Sequence, residues 1–254
     1  MRYVDVFSGT SVGSQLALSY ASGHTPLDIY CKFPLTASRI FKRGLRKYWP
    51  FGPSYSDKIL NNILRESLPG MFTDYKPCFI PVYNYPARTP LLLQNIGQGP
   101  GYGMEAWEVA RASSAAPTYF APWNGMIDGG WWCNNPALMS SLAITDRMNV
   151  SLKDIDLLIV GTGNKDYPGV CPAEMREWSV WKWLRPVIEG VTISNEQGTE
   201  WACGHMPFKS FRVFDPYIIP EEFRMDQPWR IPDIMMDIEE YQEEFEEVWS
   251  LFIK

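Results

Sequence analysis

Tyr3-Val4-Asp5-Val6-Phe7-Ser8-Gly9-Thr10-Ser11-Val12-Gly13-Ser14 reads as a short β-rich run feeding a tight glycine turn. Gln15-Leu16-Ala17-Leu18-Ser19-Tyr20-Ala21 then reads as helix until Gly23 ends it. Strand, turn, helix is the setting in which Gly9-Thr10-Ser11-Val12-Gly13, a G-x-S-x-G pattern, acquires chemical meaning. A serine on such a bend is strained and its hydroxyl exposed. The glycines on either side, Gly9 and Gly13, are expected to remove side chains that would collide as the backbone folds sharply. The backbone N–H of Val12, at the helix N-terminus, is placed to face a developing oxyanion. A glycine-rich turn before a helix, with no chemistry, is the plain alternative.

Working outward, residues 32–70 carry scattered apolar positions with Lys32, Arg39, Lys42, Arg43, Arg46 and Lys47 between them. The stretch reads as two helices broken around Trp49-Pro50-Phe51-Gly52-Pro53, the second capped by Ser56 and ended at Pro69-Gly70. Residues 78–83 and 90–95 read as strands, and the loop Gly97 to Gly103 leads into a helix from Met104 to Arg111. Ile155 to Val160 reads as a buried strand running into Gly161-Thr162-Gly163. From Ile234 to Phe252 the apolar positions 234, 238, 241, 245, 248 and 252 recur at helical spacing, giving an amphipathic helix with an acidic outer face. Strands alternating with helices predict an α/β fold with a largely parallel sheet.

The chain has 254 residues, long enough for one sizeable core, and 46% hydrophobic with 20% charged residues is globular composition. Its net charge of −6 is concentrated: Asp233, Asp237, Glu239, Glu240, Glu243, Glu244, Glu246 and Glu247 account for eight negative charges, and removing them leaves the rest at +2. No concentrated basic face of the nucleic-acid-binding kind results, so no nucleic-acid partner is expected. There is no run of 18 apolar residues and no secretory leader in Met1 to Phe7. Five cysteines, Cys31, Cys78, Cys133, Cys171 and Cys203, form no C-x-x-C pair. That pattern argues against a disulfide framework or a structural zinc and fits a cytoplasmic setting. Of eleven tryptophans, Trp49, Trp131, Trp132, Trp178, Trp181 and Trp183 fall in loops or at helix ends, where they serve either a lipid surface or ordinary packing.

A second constellation follows the helix of residues 104–111. Ala110-Arg111-Ala112-Ser113-Ser114-Ala115-Ala116-Pro117-Thr118-Tyr119-Phe120 precedes Ile127-Asp128-Gly129-Gly130 and Asn134-Asn135-Pro136-Ala137. At these residues and at the Ser11 turn the sequence resembles the patatin-like phospholipase family. That family joins a G-T-S-x-G turn to an A-R-A-[ST]-S-A-A-P segment and a D-G-G aspartate followed by N-N-P. Ile159-Val160-Gly161-Thr162-Gly163 is similar to a further family strand, so the likeness runs from about Val4 to about Asn164, and Phe211-Arg212-Val213 fits a late strand.

The resemblance implies a three-layer fold with a central, mainly parallel sheet flanked by helices. It takes residues 1–254 as a single lipase domain with 232–254 as its C-terminal acidic helix. It makes Ser11 the nucleophile and Asp128 the general base of a Ser–Asp dyad. The dyad would cleave carboxylic esters of phospholipids or other lipids, phospholipase A or lysophospholipase fashion, through an acyl-enzyme. No metal or organic cofactor is implied, and contact with the membrane would be peripheral. The residue types suit that chemistry: a serine hydroxyl needs a base within hydrogen-bond reach. The Gly129-Gly130 turn has no side chain to keep the Asp128 carboxylate away, and Asn134 and Asn135 are read as bracing it. A rival triad takes Ser11, Asp128 and His205, in the chain order of α/β-hydrolases.

One family feature is missing before Ser11: the D-G-G-G-x-[RK]-G loop that supplies N–H donors to the oxyanion hole. Val12 alone is expected to leave that hole half built, and loss of one donor costs about 10²–10³ in turnover. The Gly97 to Gly103 loop is read as a connector, not a substitute. The Tyr3–Phe7 strand is expected at an open sheet edge that a complementing chain or a second copy would fill. The alternative function is an impaired protein that binds lipid or a partner without turnover. Basic and aromatic residues between Lys32 and Trp49 read either as a cap meeting anionic headgroups or as a solvated face.

Overall fold

Strand β1 (Phe7–Ser8) enters the Gly9–Gly13 bend and helix α1 (Val12–Ala21) leaves it. The computed structural model describes residues 3–41, 52–163, 172–176, 178–217, 231 and 239–252. The ladder formed by β1 is shorter than the apolar run suggested, because residues 4–6 pair with no strand among the described residues. The Val4 carbonyl instead accepts from Lys76 Nζ at 3.0 Å.

Helix α2 (Pro26–Ile40) begins earlier than the sequence reading placed it. Thr25 accepts from the Asp28 N–H while Asp28 accepts from the Thr25 N–H, and Pro26 supplies a first residue with a helical φ. Helix α3 (Asp57–Ser67) starts after Ser56 as expected, though the serine hydroxyl makes no capping bond, and it buries Leu60, Ile63 and Leu64. The break expected around residues 49–53, with Lys42, Arg43, Arg46, Lys47 and Trp49, falls largely on residues 42–51, outside the described residues.

The central strand is β2 (Cys78–Asn84). Antiparallel β3 (Thr89–Gln94) covers one edge. Two short strands share the other edge: β1 lies parallel against Cys78 and Phe79, and β4 (Met126–Asp128) lies antiparallel against Val82 to Asn84. Their chains run toward each other and stop on either side of Pro81. A proline is tolerated mid-sheet here because neither neighbour needs a donor from that position.

Helix α4 (Ala106–Ser113) and α1 pack on one face of this sheet, and α3 packs on α4. That side holds the main core, with Leu18, Leu64, Phe72, Ile80, Val82 and Val109 all buried. Phe7 faces it, 6.3 Å from the Tyr20 ring. Ser8, next along the strand, meets Ser140 of α5 (Ala137–Met148) at 2.6 Å, so helices flank both faces.

Downstream, β5 (Asp156–Val160) pairs in parallel with β6 (Ser210–Phe214) over five residues. Between them come α6 (Pro172–Met175) and the long α7 (Val180–Gly204). Ile159, Cys203 and Ala137 seed a second, smaller core with Leu157, Phe211 and Val213. Helix α8 (Gln242–Phe252) sets Phe245 against Phe214 at 5.0 Å and leaves Glu243, Glu244, Glu246 and Glu247 in water. Residues 232–238 of the expected acidic helix lie outside the described residues. The α/β architecture is the expected one, with mixed pairing: two parallel and two antiparallel ladders.

Among the described residues Cys31, Cys78, Cys133 and Cys203 are free thiols, no helix is long and apolar enough to cross a membrane, and no cluster of three or more His, Cys, Asp or Glu could hold a metal.

Candidate active site

Ser11 and Asp128 meet at the gap beside Pro81. Ser11 stands just past the end of β1 with φ 56 and ψ −123, a backbone state that a serine adopts only under constraint. The constraint begins at Gly9, where a Cβ would fall 2.1 Å from the Gly13 carbonyl oxygen. The flanking glycines are therefore not equivalent. A Cβ on Gly13 would meet nothing within 4 Å, so the steric need that the sequence suggested for both falls on Gly9 alone. Gly13 N–H and Ser14 N–H donate to the Thr10 and Ser11 carbonyls at 2.8 and 3.0 Å, committing those first-turn donors and setting Val12 at the start of α1.

The Ser11 backbone is tied down by the segment 102 residues downstream. Its N–H donates to Ser113 Oγ at 3.1 Å, and Ser113 Oγ in turn donates to the Pro81 carbonyl at 2.8 Å. Ser114 Oγ and Ser14 Oγ both donate to the Ser11 carbonyl, at 3.1 and 2.5 Å. Ser113 thus fills the gap in the ladder, joining the central strand to the bend where no strand residue can. In sequence Ser113 and Ser114 are two small residues in an alanine-rich run, with nothing local to mark these bonds. Arg111 of the same segment is 1% exposed and links α3 to the loop below through Asp57 (2.7 Å), Asn61 (2.9 Å) and the Ala121 carbonyl (2.8 Å).

Asp128 ends β4 and is 7% exposed. Its backbone N–H donates to the Ala115 carbonyl at 3.1 Å, and its carboxylate caps a single helical turn, Gly129–Trp131, by accepting the Gly130 N–H at 2.8 Å. A Cβ on Gly129 would come within 2.2 Å of the Pro81 oxygen; one on Gly130 would press on Asp128 Oδ1 at 3.1 Å and Asn134 Oδ1 at 3.0 Å. Both glycines therefore let the carboxylate sit where it does. Burial pushes the Asp128 pKa from its ordinary 3.8 up to about 6, while hydrogen bonds from the Ser11 side chain and the Gly130 N–H pull it back down.

The loop after Asp128 is fastened from three sides. Thr10 Oγ1 donates to the Cys133 carbonyl at 2.8 Å, joining the serine bend to the aspartate loop. Trp132 Nε1 donates to the Val82 carbonyl at 2.9 Å, whereas Trp131 stands 53% exposed. From α7, Asn195 Oδ1 accepts the Asn134 N–H at 2.8 Å and Asn195 Nδ2 donates to the Trp132 carbonyl at 3.1 Å. Glu196 accepts from the Asn134 amide. Asn134 thus braces the loop by reaching α7, and Asn135 caps α5 by accepting the Ala137 N–H at 3.1 Å. Asn195 and Glu196 were absent from the sequence reading, since a polar pair some 60 positions away in a helix carries no local signal.

Neither histidine joins the pair. His205 closes the C-terminus of α7, its ring exposed, bonded to the Trp201 carbonyl at 2.7 Å and 4.4 Å from the Trp201 ring. At ten residues beyond Asn195 it lies about 15 Å farther along the helix. His24 bonds Ser22 Oγ at 2.7 Å beyond the far end of α1. The Gly97–Gly103 loop folds back on β3, where Gln94 N–H donates to the Pro100 carbonyl at 2.7 Å, which makes it a connector. A cavity of about 330 Å³ borders Ala115, Phe120 and Ile127. By strand alternation Ile127 and Asp128 project to opposite faces, so this cavity lies behind the carboxylate.

A family model described as patatin-like phospholipase matches residues 1–140, more than half the chain. A cGAMP-activated phospholipase of Escherichia coli is 30% identical over 193 residues, covering 65% of this chain and 52% of that protein. Patatin-11 of Solanum tuberosum is 25% identical over 236 residues, 78% of this chain and 60% of that protein. A protein of Arabidopsis thaliana named "Probable inactive patatin-like protein 9" is 24% identical over 188 residues, 65% and 48% of the two chains. The chain spans about half the length of the curated relatives it matches.

Proposed function

From a chain that belongs to the patatin-like phospholipase family, we propose a serine acyl hydrolase that cleaves lipid carboxylic esters with Ser11 as nucleophile and Asp128 as its base. The observation that carries this reading is the seating of the strained Ser11 bend and the buried Asp128 carboxylate on either side of one break in the β2 edge, with the Ser11 side chain near enough to lower a carboxyl pKa that burial raises to about 6. In the proposed cycle Asp128 takes the proton from Ser11 Oγ as that oxygen attacks the ester carbonyl carbon. The resulting oxyanion faces the Val12 N–H. Collapse breaks the bond to the alcohol, which leaves with the proton from Asp128, and an acyl-Ser11 remains. Asp128, again ionised, deprotonates a water that attacks the acyl carbon, and Ser11 departs with that proton. A glycerophospholipid acyl chain, phospholipase A or lysophospholipase fashion, is the proposed substrate, met at a membrane surface.

A second reading has its own support: the site offers one nominated oxyanion donor, Val12, and two of the matched relatives are named probable inactive proteins. On that reading the chain binds lipid or a partner without turnover, or a complementing chain or second copy at the β1 edge completes the hole. A fluorophosphonate probe with peptide mapping decides. Modification at Ser11, with fatty-acid release from phospholipid that Ser11→Ala abolishes, is the expected outcome. Vesicle binding with neither modification nor release would replace it with the second reading.

A further inference from the structure

Helix α2 is apolar on two faces, and the core accounts for one of them. Ala37 and Ile40 are buried at 5% and 8% exposure, with Ile29 half-buried on the same side. On the opposite side Leu27, Cys31 and Leu35, at i, i+4 and i+8, form a stripe facing solvent. Leu27 is 69% and Leu35 71% exposed, and Tyr30 beside them is 55% exposed. An amphipathic helix at a domain surface keeps its outer face polar, so this stripe calls for a partner. The helix is firmly begun by the Thr25–Asp28 capping box, and its far end is anchored where Phe41 meets Tyr55 edge-on at 5.2 Å.

Charge indicates the partner. Exposed Lys32 lies beside the stripe and exposed Arg39 continues it one turn past Leu35; Asp28 is the one carboxylate on the helix, at its first turn, and none follows until Asp57, in a chain whose net charge is −6. Three or four side chains along about two turns of one helix are far fewer than the roughly 20–30 residues, about 800 Å² per partner, of a stable protein interface. A short apolar ridge rimmed by cations and an amphipathic tyrosine suits an anionic bilayer: the leucines enter the acyl boundary while the cations stay at the phosphates.

We infer that the outer face of α2, through Leu27, Tyr30 and Leu35 with Lys32 and Arg39, is the surface on which this protein docks to anionic lipid bilayers. Its purpose rests on the lipid-hydrolase reading, since α2 packs on the helix that leaves Ser11. The binding itself is measurable apart from turnover.

The test uses the full chain and cosedimentation with phosphatidylcholine vesicles, with and without phosphatidylglycerol. Wild type is expected on the phosphatidylglycerol vesicles, with binding that weakens as salt rises. Leu27→Ser with Leu35→Ser should weaken binding at least about 10-fold, and Lys32→Gln with Arg39→Gln by roughly 5-fold per cation on the anionic vesicles alone. Both doubles should keep the wild-type melting temperature and wild-type hydrolysis of a water-soluble short-chain ester. Unchanged vesicle binding in both folded doubles overturns the proposal. So does a wild-type dimer that the leucine double converts to monomer while its vesicle binding persists, which would assign the stripe to a second copy. If no form hydrolyses the soluble ester yet binding follows the α2 substitutions, the docking surface stands and the hydrolase reading falls.

Discussion

The two ladders of this protein are built in opposite ways. β5 and β6 align five residues in unbroken parallel register, and their backbone groups satisfy one another. At the β2 edge, strands of two and three residues stop short of each other, and the gap is closed by side chains: Ser113 on Pro81 and Ser11, Thr10 on Cys133, Ser114 on Ser11. A continuous ladder needs nothing from its side chains except packing. An interrupted one leaves backbone groups to be paired individually, and the residues that pair them fix a serine and a carboxylate against each other. The regular half still reaches the irregular one, through Asn195 and Glu196 of α7.

Substitutions sharpen this contrast by their unequal cost. Asp128→Asn should lower turnover about 10³–10⁴-fold, measured as fatty-acid release, because the base is lost while the fold stays. The same change should raise thermal stability. An aspartate with a raised folded pKa binds its proton more tightly than in the unfolded chain, so the stability it contributes is complete below pH 3.8 and is lost as pH rises through about 6. Above that, keeping the charge buried costs on the order of 2–3 kcal/mol, which asparagine avoids. Melting temperatures compared at pH 5 and pH 8 should show the variant's advantage growing with pH.

Ser113→Ala comes next. It strands the Ser11 N–H and the Pro81 carbonyl, so a stability loss of about 1–3 kcal/mol by denaturant titration is expected. With the bend loosened, kcat should fall about 10–100-fold. Asn195→Ala removes the α7 brace and should lower kcat by about 10-fold with KM unchanged, since the Asn195 side chain bonds the aspartate loop at Trp132, Asn134 and Asn135. Ser210→Ala, in the regular ladder, removes a bond to Asp156 at 2.6 Å and should cost within about 1 kcal/mol, with activity as in wild type. Equal losses for Ser113→Ala and Ser210→Ala would dissolve the contrast.

Much of the pair was legible beforehand because its signals are contiguous. Gly9 and Ser11 lie in one bend, Asp128 and Gly129 in another, and each bend writes its steric needs into neighbouring residues. What holds the bends together was not legible. Ser113 reads as one more small residue in an alanine-rich run, and only the Pro81 gap gives its hydroxyl a task. Asn195 and Glu196 meet the aspartate loop through the fold alone. β4 is three residues long, too short for a periodicity of two to register, so its pairing beside β2 went unread. α2 was within reach, since Thr25-Pro26-Leu27-Asp28 is a helix start that the scattered pattern from residue 32 onward obscured.

The proposed chemistry requires a proton to pass from the Ser11 hydroxyl to the Asp128 carboxylate, and the pH dependence of Ser11 phosphonylation by a fluorophosphonate reads that transfer without a lipid substrate. The rate should rise as pH climbs through about 6 and then level off, following ionisation of Asp128. In Asp128→Asn that rise should vanish and the rate fall by orders of magnitude. A wild-type rate indifferent to pH across that range, or an Asp128→Asn protein labelled as fast as wild type, would contradict it.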